Sequence, residues 1–417
     1  MLDLLKRNRP FARLLVSSLI SELGSHFTYM LLIVMSYEAT GSMITTMGIA
    51  MSGSIASLLM GSIAGVWVER WRPVAVMVIS DLVFAAIIGA LFWLPVNMWV
   101  YYAASFATAV VRSFQAPATR KFQLMVIDKD DMMQANAALQ ATRESLKIIG
   151  PILAVTVLGL LPAAMKAAGY LFDAASSVLC AMLLLGLRSP QEEEKEAGQK
   201  AAEKPSFRQQ WVEGFQPFKH PVISASVIMF LCIIIGISGA DVIFTAHVST
   251  SGHSSLDVGY VFAALSAGLI LASVAGTKYF SKWPLALRLG GATVLIGLFE
   301  AMIGMFDGLI GMACAAFVLG LFNSVYNISS TTNMQLTVPR EQIGRFFGLI
   351  SSLFSAVSLI GLAINGLLGT FLTPQAVLLW TGGIIAIVGL ISMFVITGAE
   401  RKQAAQQVAD EDSSLIT

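Results

Sequence analysis

The chain alternates between long runs of apolar residues and short polar connections over almost its whole length. Each run is close to the roughly 20 apolar residues that a helix needs to cross a bilayer. Because a backbone inside hydrocarbon must satisfy its own hydrogen bonds, these runs are predicted to be helices. We predict twelve membrane-spanning helices, at residues 12–37, 43–68, 74–94, 98–126, 132–161, 166–188, 221–246, 256–278, 284–305, 308–337, 342–370 and 374–397.

An internal repeat relates the two halves of this pattern. The segment Gly65–Pro73 (GVWVERWRP) resembles Gly276–Pro284 (GTKYFSKWP), and both the glycines and the prolines are 211 residues apart. Gln123 and Gln335 lie 212 residues apart, one residue off the same spacing. A constant offset over half the chain predicts two copies of one unit. The predicted fold class is therefore all-α, with two pseudo-symmetric six-helix halves.

The predicted domains follow from this repeat. An N-terminal six-helix bundle covers residues 1–188 and a C-terminal bundle covers 221–397, with a linker at 189–220 and a polar tail at 398–417. The first half of the linker is a run of mixed charges, which we expect to be solvated. Its second half places Phe and Trp residues at helical spacing, which predicts a short helix in the membrane interface.

Composition and charge support a membrane protein. The chain is 56% hydrophobic and 12% charged with a mean hydropathy of +0.76, whereas soluble domains carry roughly 25% charged residues. Among the 26 Lys and Arg residues, only Lys166 falls in a connection on the side opposite the termini. Lys and Arg concentrate on the cytoplasmic side, so both termini and the linker are predicted to be cytoplasmic. We expect a multi-pass protein of the cell membrane, either the bacterial inner membrane or a plasma membrane.

Nothing in the sequence indicates an enzyme. The four His and three Cys residues lack the spacing of a metal site, and no phosphate-binding glycine motif occurs. The cysteines lie in apolar runs and are predicted to be packing residues. We therefore expect no cofactor, no metal and no nucleic-acid partner. The expected partners are the lipid bilayer, protons and a small molecule, and the expected state is a monomer.

Three short passages, together with the twelve predicted helices, resemble the major facilitator superfamily. Gly65–Arg72 resembles the family's loop motif, in which a glycine is followed by an acid–arginine pair and further basic residues. Val111–Pro117, which contains Arg112 and Gln115, resembles the arginine-x-x-glutamine motif of helix 4. Ile149–Pro151 resembles the glycine–proline motif typical of antiporters. Within the superfamily the chain looks most like the drug:proton antiporter branch, which includes the bacterial macrolide exporters.

Several positions depart from the family pattern. The loop acid is Glu69 instead of the usual aspartate, and Pro73 stands in place of a basic residue. Leu146 and Ala154 occupy positions around the glycine–proline motif where the family has further glycines. The resemblance therefore indicates the family and the fold, whereas the identity of the substrate does not follow from it.

The resemblance implies a gate at the cytoplasmic turn after helix 2. It assigns Gly65, Glu69, Arg70 and Arg72 to contacts that hold helices of the two halves together in one state of the transport cycle. Arg70 and Arg72 are equally well explained as charges that fix the membrane orientation, whereas Glu69 is not. The Gly150–Pro151 pair of helix 5 is implied to take part in the same gating motion.

Glu22 and His26 are the first candidates for proton coupling. They lie four residues apart and therefore share one face of predicted helix 1. Placing an ionisable group inside a bilayer costs about 2.5–3.5 kcal/mol on insertion scales, so such groups are functional candidates. We predict that the pair binds and releases the coupling proton. The alternative is a structural polar pair that joins helix 1 to helix 4 or helix 5.

Arg112 and Gln115 lie about one turn apart in predicted helix 4. The resemblance assigns the arginine to proton transfer in antiporters. A buried guanidinium also needs a carboxylate partner, for which Glu22 and Glu144 are the candidates, and we count Glu144 among the proton-coupling residues. Gln115 is predicted to line the substrate cavity. The alternative for Arg112 is a permanent structural ion pair.

Three charged residues cluster in predicted helix 5. Arg143 and Lys147 share a helix face, and Glu144 lies three residues before Lys147, close enough to pair with it. We predict that Arg143 and Lys147 line the substrate cavity, where two cations favour an anionic or zwitterionic substrate. The alternative is that the helix enters the membrane later and that all three charges are interfacial.

The second half carries neutral polar groups instead of charges. Its predicted cavity residues are Asn323, Tyr326, Asn327 and Asn365. At the repeat offset Arg112 corresponds to Asn323 and Gln115 to Tyr326, which places charge in one half and hydrogen bonding in the other. The alternative is that these side chains join helices, at about 0.6 kcal/mol each. Glu300 is expected at the outer interface.

These observations predict a secondary active transporter that works by alternating access. The primary hypothesis is proton-coupled export of an amphipathic small molecule such as a drug or secondary metabolite. A second hypothesis is transport of an anionic or zwitterionic amphiphile such as a lysophospholipid or siderophore. A non-transporting membrane sensor or scaffold is the third, and the cost of keeping charges inside a membrane argues against it.

Overall fold

The computed structural model describes residues 2–40, 43–95, 97–160, 167–187, 212–238, 240–253 and 255–415. Within these ranges the chain is helical and contains no β strand. The first helices are α1 Leu2–Arg7, α2 Arg9–Thr40, α3 Met43–Arg70, α4 Pro73–Ala90, α5 Met98–Val126, α6 Met132–Leu160 and α7 Ala168–Leu184. The remaining ones are α8 Pro221–Ile237, α9 Ala240–Thr250, α10 Ser255–Leu271, α11 Thr277–Phe280, α12 Ala292–Met305, α13 Leu309–Thr337, α14 Ile343–Phe371 and α15 Pro374–Leu415.

The helices form two compact units. The first unit contains Met1–Phe215 together with Gln335–Ala356, and the second contains Gln216–Met334 together with Val357–Thr417. Helices α13 and α14 therefore each contribute residues to both units. The domain boundaries expected from the repeat stay a prediction, and the predicted linker falls largely outside the described residues.

The helix ends follow from residues that start helices well. Pro73 and Pro221 begin α4 and α8, where a residue without a backbone N–H costs no hydrogen bond. Asn97 caps α5, since its side chain accepts a hydrogen bond from the backbone N–H of Trp99 at 2.9 Å. The polar connections between the apolar runs thus locate the helix ends closely.

Several helices have the dimensions of a membrane span. In the described part of the chain, seven helical segments are long and apolar enough to cross a bilayer. They are Met51–Arg70, Pro73–Ala90, Asp257–Phe280, Leu287–Met305, Leu309–Thr337, Arg340–Phe371 and Pro374–Lys402. Ala168–Leu184 and Pro221–Ile237 are shorter apolar helices. The count of twelve spans and the cytoplasmic placement of the termini stay predictions.

One predicted helix, 221–246, is interrupted. Helix α8 ends at Ile237 and α9 begins at Ala240. The break leaves carbonyl groups of α8 without helical partners. The side-chain amide of Asn365 donates to two of them, at 2.7 Å to Ile235 O and 2.6 Å to Ser238 O. Asn365 thus stabilises an opened helix end.

Two further predicted helices contain π-helical turns. These turns lie at Ala272–Gly276 and Leu287–Gly291, on either side of the second copy of the repeated loop segment. The first copy joins α3 and α4, which remain α-helical up to the loop. A π turn widens the helix locally and is often found at functional sites. The two copies of the repeat have therefore diverged in backbone geometry.

The last helix extends beyond its predicted end at residue 397, since α15 continues through the polar tail to Leu415. The sequence after Gly398 contains Ala, Gln, Glu, Arg and Lys, all good helix formers, and neither Gly nor Pro. A helix that starts inside the apolar run can therefore continue through these polar residues.

Candidate functional site

The first unit contains a cavity of about 220 Å³. Side chains from α2, α4, α5, α6 and α7 form its wall. They are Leu14, Ser17, Ser18, Ser21, Glu22, Met77, Arg112, Gln115, Ala116, Thr119, Arg120, Leu139, Thr142, Arg143 and Leu184. Four of the predicted site residues therefore line one space: Glu22, Arg112, Gln115 and Arg143.

The helical repeat explains which residues reach this cavity. On α5 the lining residues from Arg112 to Arg120 lie three, four, seven and eight positions after the first. On α2 the lining residues from Leu14 to Glu22 follow the same spacing. Positions with this spacing share one face of an α-helix. Two polar helix faces therefore point into the cavity.

The cavity carries more positive than negative charge. Three guanidinium groups belong to its wall, those of Arg112, Arg120 and Arg143, against the single carboxylate of Glu22. Guanidinium groups bind carboxylates and phosphates through two parallel hydrogen bonds, and they stack on aromatic rings. Serine and threonine hydroxyls from α2, α5 and α6 add neutral hydrogen-bonding groups. The wall is thus suited to a polar, negatively charged ligand.

Arg112 is held by neutral neighbours on α2 and α4. Its guanidinium donates to the hydroxyl of Ser25, and it lies 4.8 Å from the centre of the Phe84 ring. The hydroxyl of Ser25 in turn donates to the carbonyl of Ser21 at 2.6 Å. Contacts with a hydroxyl and a ring face leave the charge of Arg112 available to groups in and around the cavity.

Two buried acids near Arg112 were missed by the sequence analysis. Asp81 of α4 accepts a hydrogen bond from Gln115 Nε2 at 2.7 Å. Asp173 of α7 accepts from Thr28 Oγ1 at 2.5 Å and from Ser176 Oγ at 3.2 Å. Arg112 interacts electrostatically with both acids. Each acid interrupts an apolar run, which is the signal that could have identified it.

Arg120 was also missed, because its position near the end of α5 suggested a cytoplasmic charge. Its Nη1 donates to Asn136 Oδ1 at 3.1 Å. Asn136 Nδ2 donates to Gln335 Oε1 at 2.7 Å, and Gln335 Nε2 donates to Gln123 Oε1 at 2.9 Å. Buried side-chain amides therefore form a hydrogen-bonded chain that begins at Arg120 in the cavity wall. The chain ends at Gln335 and Gln123, the two glutamines that lie 212 residues apart in the sequence.

The other predicted proton-coupling residues lie outside the cavity wall. His26 packs against Gly150 of α6, where an added Cβ would lie 2.7 Å from the Cβ of His26. Gly150 thus permits close contact of α2 and α6, and the side chain of Pro151 lies outside the described part of the chain. His26 remains within electrostatic reach of Glu22 and Arg112.

The charges of predicted helix 5 divide between two environments. Arg143 lines the cavity. Glu144 is buried away from the cavity wall, where its Oε1 accepts from Gln140 Nε2 and from Lys147 Nζ, both at 2.9 Å. The side chain of Lys147 is 61% exposed. Arg143 therefore fits the cavity role predicted for it, whereas Lys147 is exposed and does not line this cavity. Whether the three charges are interfacial stays a prediction.

The predicted gate residue Glu69 contacts the start of α14. Its Oε1 accepts a hydrogen bond from the backbone N–H of Gly344. Its Oε2 lies 3.8 Å from Lys121 Nζ, which also donates to the carbonyls of Val68, Glu69 and Trp71 at the end of α3. An acid is favourable at a helix N-terminus, and a cation at a C-terminus. Arg70 and Arg72 are exposed at the turn, and the gating role stays a prediction.

Glycines bring α3 and α14 into direct backbone contact. A Cβ added to Gly65 would lie 2.5 Å from the carbonyl oxygen of Gly344, and one added to Gly348 would lie 2.6 Å from that of Gly61. Both helices carry glycines four residues apart at this crossing, an arrangement that allows close helix packing in membranes. Gly65 thus permits this close packing, and its gating role stays a prediction.

The predicted residues of the second unit satisfy hydrogen bonds within that unit. Tyr326 is buried, and its hydroxyl donates to Ser226 O at 2.6 Å. Asn327 Nδ2 donates to Asn323 Oδ1 at 2.7 Å, and Asn365 caps the end of α8 as described above. These contacts fit the alternative interpretation, in which the polar side chains join helices instead of lining a cavity.

Glu300, which the sequence placed towards the outer interface, is buried within the second unit, and its depth in the membrane stays a prediction. Its side chain is 2% exposed, and Thr381 Oγ1 donates to its Oε1 at 2.8 Å. Gly236 lies against it, since a Cβ there would be 3.3 Å from the same oxygen.

Among the described residues, no group of three or more His, Cys, Asp and Glu side chains has an arrangement that could hold a metal ion.

Comparisons with known proteins agree on one family. The family profile described as Major Facilitator Superfamily matches residues 14–361. The uncharacterized MFS-type transporter YfiS of Bacillus subtilis strain 168 is 24% identical over 94% of both chains. The enterobactin exporter EntS of Escherichia coli O127:H6 is 26% identical over 42% of both chains.

A solved structure has the same fold. The human organic anion transporter MFSD10 has a TM-score of 0.72 to this chain, at 14% sequence identity. The match covers 93% of this chain and 99% of that one. At this level of identity the similarity concerns the fold alone.

Proposed function

The chain belongs to the major facilitator superfamily and is a multi-pass membrane transporter, and from this premise we propose that it exports an amphipathic organic anion. The observation that carries the proposal is the cavity wall of the first unit, with three guanidinium groups and one carboxylate. The three arginines are partly buried, and a partly buried excess of positive charge binds an anion more strongly than an exposed one, because fewer water molecules compete for it. Apolar wall residues such as Met77 and Leu139 suit the hydrophobic part of such a ligand.

The name of one similar protein supports the direction of transport, since EntS is an enterobactin exporter. Its sequence identity of 26% leaves the particular molecule open. The organic-anion class rests on the charges of the cavity wall. Export of drugs by proton antiport, the activity of the branch that the sequence motifs resemble, stays a prediction. A location in the cell membrane and a monomeric state stay predictions as well.

We place the coupling proton at Glu22. A protonated Glu22 no longer neutralises the neighbouring guanidinium groups, so a proton and an anion favour each other's binding. This arrangement favours a second candidate function, in which anion and proton move together. Simple exchange of the anion for a proton requires an additional linkage between the two sites.

Co-binding of a proton is compatible with export when the ligand carries several charges. Moving two net negative charges out through about 100 mV yields about 4.6 kcal/mol. A gradient of one pH unit opposes the accompanying proton by only about 1.4 kcal/mol. For a multiply charged anion, the free energy supplied by the membrane potential is therefore larger than the free energy lost to the pH gradient.

Transport into proteoliposomes tests this proposal. The probes are the anion carboxyfluorescein, a neutral macrolide and an amphipathic cation, with membrane potential and pH gradient imposed separately. We expect the anion to move and to respond to the potential. A protein that moves the cation and not the anion would contradict the proposed substrate class.

Charge reversal at two positions of α6 provides the matched control. Arg143→Glu places a carboxylate in the cavity, so anion transport should fall at least about tenfold, the effect of roughly 1.4 kcal/mol. Lys147→Glu makes the same change at an exposed position, where ion pairs contribute little, and should leave transport within about twofold. Equal effects of the two variants would contradict a binding role for Arg143.

A further inference from the structure

We infer that Asp81 is a proton-binding site whose occupancy is linked to the cavity ligand through Gln115. The inference rests on the proposed function, because it needs an anion in the cavity of the first unit. Asp81 lies on α4 one turn beyond Met77, which is part of the cavity wall. Gln115 is part of the same wall and also donates to Asp81 Oδ1 at 2.7 Å.

The surroundings of Asp81 do not stabilise a permanent charge. The residue is 3% exposed. Within the described part of the chain, its Oδ2 is buried and has no hydrogen-bond partner. An ionised carboxylate can accept about four hydrogen bonds, and a buried acceptor left without one is costly. A proton on this carboxyl group removes the buried negative charge and with it the larger part of that cost, so the surroundings fit a site that binds and releases a proton.

The neighbours of Asp81 lie on the two helices that pack against α4. On α5, Gln115 is a neutral hydrogen-bond donor, and the positive charge of Arg112 favours the ionised carboxylate. On α7, the thiol of Cys180 interacts electrostatically with Asp81 and also with Asp173. Asp173 differs from Asp81 because it accepts hydrogen bonds from the two hydroxyls of Thr28 and Ser176.

Gln115 can serve the carboxylate or the ligand. When an anion in the cavity accepts the hydrogen bond of the Gln115 N–H, Asp81 loses this donor. The protonated form of Asp81 then becomes more stable relative to the ionised form. When Asp81 takes up a proton, the amide is released toward the cavity, and the guanidinium of Arg112 is no longer shared with the carboxylate of Asp81. Binding of the anion and binding of the proton at Asp81 therefore strengthen each other, as linkage requires.

The internal repeat shows that the fold does not need an acid here. The position that corresponds to Asp81 at the offset of 211 is Ala292, which is buried in the second unit. An alanine therefore suffices for packing at the equivalent place. Packing alone therefore does not explain the carboxylate of Asp81, and a chemical role such as proton binding does.

Asp81→Asn is the decisive variant, because asparagine keeps an oxygen to accept from Gln115 and cannot ionise. Asp307→Asn makes the same change at an exposed acid of the second unit and is the control. The first measurement is infrared difference spectroscopy of the purified proteins between acidic and alkaline pH, which needs no ligand. We expect the carbonyl bands of protonated acids in wild type and in Asp307→Asn to share a component, the one from Asp81, that is absent in Asp81→Asn. An unchanged band in Asp81→Asn overturns the inference, even if the transport proposal stands.

The second measurement is transport of carboxyfluorescein at zero membrane potential. One pH unit can drive about a tenfold accumulation for each coupled proton, in the direction of proton movement. Asp81→Asn should lower the accumulation by about tenfold, the share of the proton at Asp81, and keep both the share of Glu22 and exchange of labelled for unlabelled probe. Loss of both activities would mean a structural role, and accumulation against proton movement would contradict the linkage through Gln115. Absence of transport in wild type would reject the proposed function, while the infrared result would still decide the titration of Asp81.

Discussion

Positions related by the internal repeat have different environments in the two units. In the first unit Arg112 and Gln115 line a cavity, and Gln115 holds the carboxylate of Asp81. Their counterparts in the second unit are Asn323, which bonds to a residue one turn away, and Tyr326, which donates to a backbone carbonyl. The helices correspond to one another in the repeat. At these positions the first unit has polar and charged side chains that line a cavity, whereas the second unit has neutral side chains that form hydrogen bonds within and between helices.

This difference shows how a duplicated scaffold can separate its tasks. Charges inside a membrane protein are costly and need a polar cavity or partners, so concentrating them in one unit limits the cost to one place. The other unit can then use the same positions for neutral hydrogen bonds, which strengthen helix contacts modestly. The comparison predicts that equivalent substitutions in the two units have unequal consequences.

The largest contrast is expected between Arg112→Ala and Asn323→Ala. Removing a buried charged partner of an anion costs about 2–5 kcal/mol, so Arg112→Ala should reduce anion transport at least about thirtyfold. Asn323→Ala removes one neutral hydrogen bond and should leave transport within about threefold. Initial rates in proteoliposomes, corrected for the amount of protein, test this. A larger loss in Asn323→Ala would break the proposed division between the units.

A smaller effect is expected on stability, at two positions of α14. Gly348 belongs to the first unit and touches α3, so Gly348→Val should destabilise the fold by about 1–3 kcal/mol through overpacking. Gly366 belongs to the second unit, and a Cβ added there meets no atom within 4 Å. Gly366→Val should change stability by no more than about 0.5 kcal/mol. Thermal unfolding in detergent compares them, and equal transition temperatures would contradict the close crossing.

The smallest effect is expected for Tyr326→Phe. The variant removes the hydrogen bond to Ser226 O and keeps the buried ring. Side-chain hydrogen bonds between membrane helices contribute about 0.6 kcal/mol on average, so a small loss of stability with unchanged anion transport is expected. A severalfold loss of transport would instead make Tyr326 part of the substrate path and weaken the contrast with the first unit.

The sequence predicted the helices better than it predicted the site. Helix ends follow from local residues such as Pro73 and Asn97, and the predicted segment 98–126 coincides with α5. The faces of helices are harder to assign, because a helix that is apolar all round gives no periodic signal for what it packs against. Contacts such as that of Glu69 with Gly344 join residues far apart in the chain, and spacing alone could not predict them.

The missed site residues have separate physical reasons. Arg120 lies close enough to the end of α5 to be counted with the cytoplasmic charges, although its side chain reaches the cavity. Asp81 and Asp173 are single acids inside otherwise apolar runs, and the cost of burying them was the available signal. Lys147 was predicted for the cavity from its shared face with Arg143, but the partner Glu144 holds it elsewhere.

The contact between Gln123 and Gln335 has a consequence for the history of the chain. A glutamine amide both donates and accepts, so it can bond to an identical copy of itself, whereas two arginines or two glutamates in contact would repel. A surface that meets its own copy must be self-complementary in this way. If the two halves began as one gene whose product paired with itself, this position was confined to uncharged, two-way hydrogen-bonding residues from the start. Fusion of the copies removed that restriction elsewhere, and one half could then retain an arginine at a position where the sequence of the other half has an asparagine.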